Sequence, residues 1–269
     1  MVTFMIKLLC PVCKNELNKS ECSFTCENGH CFDMAKEGYV NLLTGSKPGN
    51  LIGDNRDMAR SRKNFLDKGY FKPLADSLCE IINGIKPSTV LDICCGEGYY
   101  TQLISESCKA ETLGFDISKE MVRLAAKRKC SADFFVANMA DIPLADNSID
   151  CAVHLFAPLN EKEFARITSD DGYFISVCPG ENHLWELKSA MYDKPYKNEE
   201  IAPEINGFTF EKAVHTRADV ALECREDIEA LFKMTPYYYH TSEADKQKLF
   251  SLDTLTTQTD FYIRIYRRG

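Results

Sequence analysis

Two cysteines and a later cysteine–histidine pair near the N-terminus have the spacing of a tetrahedral zinc site. Two residues separate Cys10 from Cys13, and three residues separate Cys26 from His30. Thiolate and imidazole ligands suit zinc. Cys31 adjoins His30 and is an alternative fourth ligand, although the spacing favours His30. The surrounding segment has few core hydrophobes and would need a metal to fold, so we expect structural zinc rather than scattered structural cysteines.

A second chemical signature runs over residues 90–101, with the sequence VLDICCGEGYYT. Gly96 and Gly98 permit backbone to pass close to a ligand where a strand turns into a helix. Asp92 is placed to orient this loop or to meet a cationic ligand, and Cys94 stands where many such loops have a third glycine. The loop lacks the G-x-G-x-x-G spacing that admits a pyrophosphate. S-adenosylmethionine has no phosphate, and its sulfonium favours a nearby carboxylate, so the loop predicts this methyl donor.

Polar residues after the following strands extend the predicted cofactor site. Asp116 closes the next strand, about 20 residues after the loop, where a carboxylate can accept both ribose hydroxyls. Asn138 follows another strand and is placed to recognise adenine through its amide, although a polar surface turn explains it equally well. His154 ends the fourth strand, at the edge where ligands collect in open α/β sheets.

Alternating strands and helices position these residues. We predict strands over 89–93, 111–115, 132–136, 149–156 and 172–178, and helices over 71–84, 99–107, 118–127, 160–167 and 183–192. This alternation indicates an α/β fold with a mostly parallel sheet. Segments 208–214 and 259–266 alternate in hydrophobicity, with helical patterns at 225–234 and 243–250 between them, and they suit an antiparallel edge.

The bulk composition limits the possible functions. The chain has 269 residues and a net charge of −8, which counts against extensive nonspecific nucleic-acid binding. No apolar run is long enough to span a bilayer, and the N-terminus lacks the features of a signal peptide. The 13 cysteines, an odd number, indicate reduced thiols. We therefore expect a cytoplasmic protein without a membrane partner.

Composition also divides the chain into three parts. Residues 1–43 form the predicted zinc domain, and residues 65–269 form the predicted catalytic domain. Between them, residues 44–64 are rich in Gly, Pro, Asn and charge, and they are interpreted as a linker.

Several signatures occur together in one order along the chain. They are residues 10–13, 26–30, 32–43, 53–55, 65–70, 91–100 and 179–184. Over essentially its whole length the chain resembles the RlmA family of 23S rRNA guanine-N1 methyltransferases. The stretch FDMAKEGYVNLL at 32–43 is particularly specific.

The resemblance implies a class I, Rossmann-like methyltransferase with a small N-terminal zinc domain, acting on position 745 or 748 in hairpin 35. It implies a zinc ion bound by Cys10, Cys13, Cys26 and His30. It also implies 23S rRNA as the partner and a homodimer. It implies S-adenosylmethionine contacts at Phe71, Tyr100, Thr101, Asp116 and His183. Phe71 stands where relatives can carry Tyr, so any hydroxyl contact there is lost.

The group that accepts the proton from guanine N1 is not identified by the sequence. His154 and His183 are candidates, and a structural role or packing against the cofactor is the alternative for each. Arginines and a lysine at 56–63 and tyrosines at 237–239 could contact RNA, or could be a solvated helix face and core. A small-molecule methyltransferase and a non-catalytic zinc and cofactor adaptor remain alternative functions.

Overall fold

The N-terminal segment folds as a small antiparallel ribbon. The computed structural model describes residues 6–44, 56–199 and 204–269. The ribbon contains β1 (Asn18–Lys19), β2 (Ser23–Thr25) and β3 (Cys31–Asp33), hydrogen-bonded in that order. The signature residues 53–55 and most of the predicted linker lie outside the described residues.

The first helix is a correction to the predicted linker. Helix α1 (Arg56–Asp67) includes the last part of segment 44–64. Met58, Ala59, Phe65 and Leu66 are buried along one side of α1, and polar or charged residues occupy the other described positions. This apolar stripe makes the segment an amphipathic helix. The stripe is not evident from composition, because the segment is highly charged and follows residues rich in Gly and Pro.

The central sheet has eight strands. Its short first strand is β4 (Val40–Asn41), and the others are β5 (Thr89–Ile93), β6 (Glu111–Asp116), β7 (Asp133–Val136), β8 (Ile149–Leu155), β9 (Thr168–Pro179), β10 (Phe208–Leu222) and β11 (Leu255–Arg268). The order is β10-β11-β9-β8-β5-β6-β7-β4. Strands β9 to β4 run parallel, whereas β11 is antiparallel to both of its neighbours. The predicted mostly parallel sheet with an antiparallel edge is confirmed.

Helices cover the sheet and follow the predicted alternation. They are α2 (Lys72–Ile85), α3 (Tyr99–Ser107), α4 (Lys119–Ala126), α5 (Glu161–Ile167), α6 (Trp185–Met191), α7 (Arg225–Lys233) and α8 (Glu243–Phe250), with a 3₁₀ turn at Pro236–Tyr239. The Ser118 hydroxyl caps α4 by accepting a hydrogen bond from the Met121 amide at 3.4 Å. No helix in the described parts of the chain is long and apolar enough to cross a membrane.

The ribbon forms its own sheet and packs against the central sheet. Strand β4 pairs with β7, with Val40 opposite Phe135. The Leu9 amide donates to the Pro143 carbonyl at 2.8 Å. Leu17 of the ribbon belongs to the same buried core as the sheet. The predicted boundary at residue 43 therefore divides two sequence patterns but does not separate two packed bodies.

Candidate cofactor site and zinc cluster

The Cys/His group of the ribbon forms a compact cluster. The ligand atoms of Cys10, Cys13, Cys26 and His30 all lie within 4.8 Å of one another. Nδ1 of His30 is 3.3 Å from the Cys26 sulfur and 3.6 Å from the Cys10 sulfur. Ligands at about 2.0–2.3 Å from a tetrahedral zinc ion are separated by about 3.3–3.8 Å, so the donor set and its spacing fit zinc. Cys31 is exposed and lies outside this cluster.

Tight backbone turns hold the ligands together. The Lys14 amide donates to the Cys10 carbonyl at 2.8 Å, and the Gly29 amide donates to the Cys26 carbonyl at 2.9 Å. A hydrogen bond from the backbone at Asn15 lowers the pKa of the Cys13 thiol to about 6. Because the thiolate is the metal-binding form, this turn prepares Cys13 to be a ligand.

A cavity of about 290 Å³ lies at the carboxyl ends of β5, β6 and β8. The loop between β5 and α3 forms one wall, and Cys94 and Gly96 line the cavity. Both residues have left-handed backbone, with φ of 58° at Cys94 and 57° at Gly96. This region favours glycine, which explains why many such loops have glycine where this chain has Cys94. The thiol points towards Met139, with 3.9 Å between the two sulfur atoms.

Gly98 contributes to packing rather than to the cavity wall. Its φ is 83°, and a Cβ atom added there would lie 2.7 Å from Cβ and 2.9 Å from Cα of Ala125 on α4. The second glycine of the loop therefore allows α4 to approach the loop closely. Close approach to a ligand was predicted for both glycines; it stays a prediction for Gly96, which lines the cavity, whereas Gly98 does not.

Asp92 lies at the base of the cavity and is almost completely buried. The hydroxyl of Thr101 donates to its Oδ2 at 2.5 Å, and its Oδ1 has no hydrogen-bond partner. Burial, reinforced by the charges of Asp116 and Glu97, raises the pKa of Asp92 to about 7. A buried carboxyl group with one unpartnered oxygen in the lining of a cavity fits a cationic cofactor. Thr101 is fully buried and acts on the site through Asp92.

Asp116 lines the same cavity at the end of β6. Its carboxylate accepts hydrogen bonds from the amides of Gly96 at 3.1 Å and Ser118 at 2.8 Å. This orientation beside the loop fits recognition of a ribose diol. Asn138, in contrast, is exposed, and its side-chain oxygen accepts from the Ala140 amide at 3.0 Å. That geometry corresponds to the surface-turn interpretation.

An adjoining cavity of about 250 Å³ has mostly aromatic and aliphatic walls. Four residues line both cavities and join them: Arg62, Leu66, Tyr100 and Phe156. Phe71 and His183 line the adjoining cavity instead of the one beside the glycine loop. The Tyr100 hydroxyl is buried and has no hydrogen-bond partner. A ligand spanning the two cavities could therefore reach all of these residues.

His183 has the hydrogen-bonding pattern of a neutral donor. Its Nδ1 accepts from the Asp260 amide at 3.3 Å, so the ring proton is on Nε2. Burial, together with the positive charge of Lys188, lowers the pKa of His183 to about 3. The neutral ring can donate from Nε2, and it offers no free basic nitrogen.

His154 is directed away from both cavities. Its Nε2 donates to the Pro158 carbonyl at 3.1 Å, and its ring lies against Phe164 and Phe174. Burial lowers the pKa of His154. Because side chains alternate along a strand, His154 faces α5 while Leu155 faces the cavity. The structure therefore does not bring this candidate base to the site.

A buried ion pair that the sequence interpretation missed supports the loop. Glu97 is 1% exposed, and Nε of Arg128 donates to its Oε2 at 2.9 Å. Arg128 also pairs with Asp67 of α1 at 2.9 Å. These contacts attach α1, which carries Arg62, to the loop between β5 and α3. Only the apolar stripe of α1 could have indicated this helix from the sequence.

Comparison with known proteins identifies two family segments in this chain. Residues 8–47 match the model of the RlmA N-terminal zinc ribbon, and residues 90–170 match a methyltransferase domain model. The first segment contains the whole cysteine–histidine cluster. The second contains the glycine loop, Asp116 and the end of β8.

Curated relatives are similar to this chain over most of its length. A Streptomyces fradiae protein named 23S rRNA (guanine(748)-N(1))-methyltransferase is 38% identical over 190 residues, covering 68% of this chain and 67% of the relative. Provisionally named 23S rRNA (guanine-N1) methyltransferases are 30% identical in Micromonospora griseorubida, over 88% of each chain, and 33% identical in Bacillus subtilis, over 84% of this chain and 85% of the relative. This chain is therefore a member of the RlmA family of S-adenosylmethionine-dependent 23S rRNA (guanine-N1) methyltransferases.

Proposed function

We propose that this protein transfers a methyl group from S-adenosylmethionine to N1 of guanine 748 in hairpin 35 of 23S rRNA. The observation that carries the proposal is the pair of joined cavities, one beside an acidic glycine loop and the other walled by aromatic rings. Position 748 is favoured over 745 because the printed name of the Streptomyces fradiae relative specifies it.

Two carboxylates are assigned to the cofactor. Asp116 would accept the ribose hydroxyls, and the free Oδ1 of Asp92 would face the positively charged end. Gly96 and Cys94 would contact the cofactor along the loop, and Tyr100 would contact it where the two cavities join. The bound cofactor supplies an electrophilic methyl group. The protein holds the acceptor nitrogen in line with it, and such orientation can contribute about 7–11 kcal/mol.

Guanine N1 carries a proton that must leave during the reaction. His183 is neutral and has its proton on Nε2, so we assign it hydrogen-bond donation to guanine O6 or to the cofactor. Donation to O6 would stabilise the negative charge that develops as N1 loses its proton. Water accepts that proton in this proposal, because neither candidate histidine presents a free basic nitrogen to the cavities.

The zinc ribbon is assigned to RNA recognition and structural zinc binding through Cys10, Cys13, Cys26 and His30. Recognition would extend over residues 1–43, helix α1 and the catalytic domain at 65–269, with Arg62 of α1 and Tyr237 at the aromatic cavity. Because hairpin RNA is recognised by shape and by splayed bases, a local site suffices despite the acidic chain. We further propose a cytoplasmic homodimer, and sedimentation as a monomer at micromolar concentration would contradict the dimer.

A small-molecule methyltransferase is the second candidate, because the cavity that adjoins the cofactor loop is largely apolar. Protein-free 23S rRNA from a strain lacking this protein, incubated with labelled S-adenosylmethionine, separates the candidates. We expect one labelled guanine and a primer-extension stop at position 748, and Asp116→Ala should abolish labelling. Absence of label in rRNA would contradict the proposed function, and a stop at 745 would correct the position.

A further inference from the structure

Phe156 has an unusual backbone and an unusual environment. It directly follows β8, and its φ is 57°, in the left-handed region that bulky residues rarely adopt. Its side chain is 48% exposed, although it is large and apolar. Strained backbone of this kind concentrates at ligand sites, where the surrounding structure enforces it.

The segment carrying Phe156 is fixed from both sides. The Phe156 amide donates to the Val177 carbonyl of β9 at 3.4 Å. Two residues later, the Pro158 carbonyl accepts a hydrogen bond from buried His154 at 3.1 Å. His154, which is buried and does not reach the cavities, therefore holds the turn that carries the exposed ring of Phe156.

Phe156 is also the outermost ring of an aromatic wall. Its centroid is 5.3 Å from that of Phe261, which in turn is 4.4 Å from His183 and 5.5 Å from Phe71. Phe156 lines both the cavity beside the glycine loop, here called the cofactor cavity, and the adjoining aromatic cavity. A flat ligand resting on its ring would lie where the two cavities meet.

We propose that Phe156 is the platform on which the target guanine stacks after leaving the RNA helix. The inference rests on the proposed function and adds the residue that holds the base. Enzymes that modify a base must take it out of the stack, and aromatic side chains replace the lost stacking. A guanine stacked on Phe156 presents its N1 edge at the boundary of the cofactor cavity.

Phe156→Leu tests the proposal because it keeps an apolar side chain but removes the flat ring. Phe210→Leu is the matched control, since Phe210 is 50% exposed but lies on β10, away from both cavities. For the full-length protein, kcat/KM with 23S rRNA and the affinity for S-adenosylmethionine are measured in parallel. Base–aromatic stacking predicts that Phe156→Leu lowers kcat/KM by between about 5-fold and 150-fold. Phe156→Tyr and Phe156→Trp should restore most of the activity.

Three outcomes would overturn the inference. Activity of Phe156→Leu equal to that of wild type would show that no base rests on this ring. An equal loss in Phe210→Leu would make the effect unspecific. A matching loss of S-adenosylmethionine affinity would make Phe156 a cofactor contact instead. If wild type methylates no rRNA, the proposed function itself fails, and the two failures are thus distinguished.

Discussion

Replacing Asp92 by asparagine should remove a pH dependence from the stability of the cofactor-free protein. Asp92 is buried beneath the loop, and its pKa is raised from 3.8 to about 7. Between these two values the folded protein binds a proton that the unfolded chain does not. Stability contributed by Asp92 is therefore complete below the lower pKa, and it is lost as pH rises towards the higher one.

The size of the effect follows from the width of this pH range. Each pH unit within it changes the free energy of unfolding by about 1.4 kcal/mol for one group. From pH 5 to pH 8, wild type should lose about 2.5 kcal/mol that Asp92→Asn does not lose. Comparing the two proteins at both pH values cancels constant effects of the substitution, such as a changed hydrogen bond to Thr101.

Urea unfolding of the zinc-loaded, cofactor-free proteins at pH 5, 6, 7 and 8 measures this difference. Asp253→Asn is the control, because its carboxylate is 91% exposed and surface substitutions usually change stability by less than about 0.5 kcal/mol. The affinity of Asp92→Asn for S-adenosylmethionine should also fall, because a carboxylate facing the cation is lost. Parallel stability curves for wild type and Asp92→Asn would refute the account of this buried group.

Two further pairs of substitutions test the zinc cluster and the loop. His30→Ala should lower bound zinc below one ion per chain, measured by metal analysis, whereas Cys31→Ser should retain it; the reverse result would make Cys31 the fourth ligand. Gly98→Ala should destabilise the protein by more than about 1 kcal/mol in thermal unfolding, because its Cβ would meet Ala125 at 2.7 Å. Gly69→Ala has a similar φ of 82° but no contact under 4.0 Å, so an equal loss there would show that backbone strain alone explains Gly98.

The features that the sequence indicated most directly are those whose chemistry is local in sequence. The spacing of Cys10 and Cys13 and the order of Gly96 and Gly98 in the loop are short patterns with direct physical meaning. The alternation of strands and helices likewise indicated the parallel sheet and its antiparallel edge. The spacing of Gly96 and Gly98 could not distinguish their structural roles, because Ala125 becomes a neighbour of Gly98 only in the folded protein.

The parts that were missed depend on contacts between distant segments. Most of helix α1 falls in the predicted linker, and its contact with the loop between β5 and α3 depends on Arg128, which is far away in sequence. Strand β4 joins the main sheet through pairing with β7, although it consists of two residues. Strand alternation places His154 and Leu155 on opposite faces, but only the packing of α5 shows that His154 points away from the cavities.

The central claim is that this protein methylates N1 of one guanine in 23S rRNA. Mass spectrometry of nucleosides from purified 23S rRNA tests it most directly, in a strain lacking the protein and in the same strain carrying wild type or Asp116→Ala. The account predicts that one N1-methylguanosine per 23S rRNA disappears in the deletion and returns with wild type alone. An unchanged amount of N1-methylguanosine in the deletion strain, with no gain upon adding the wild-type protein, would contradict the account.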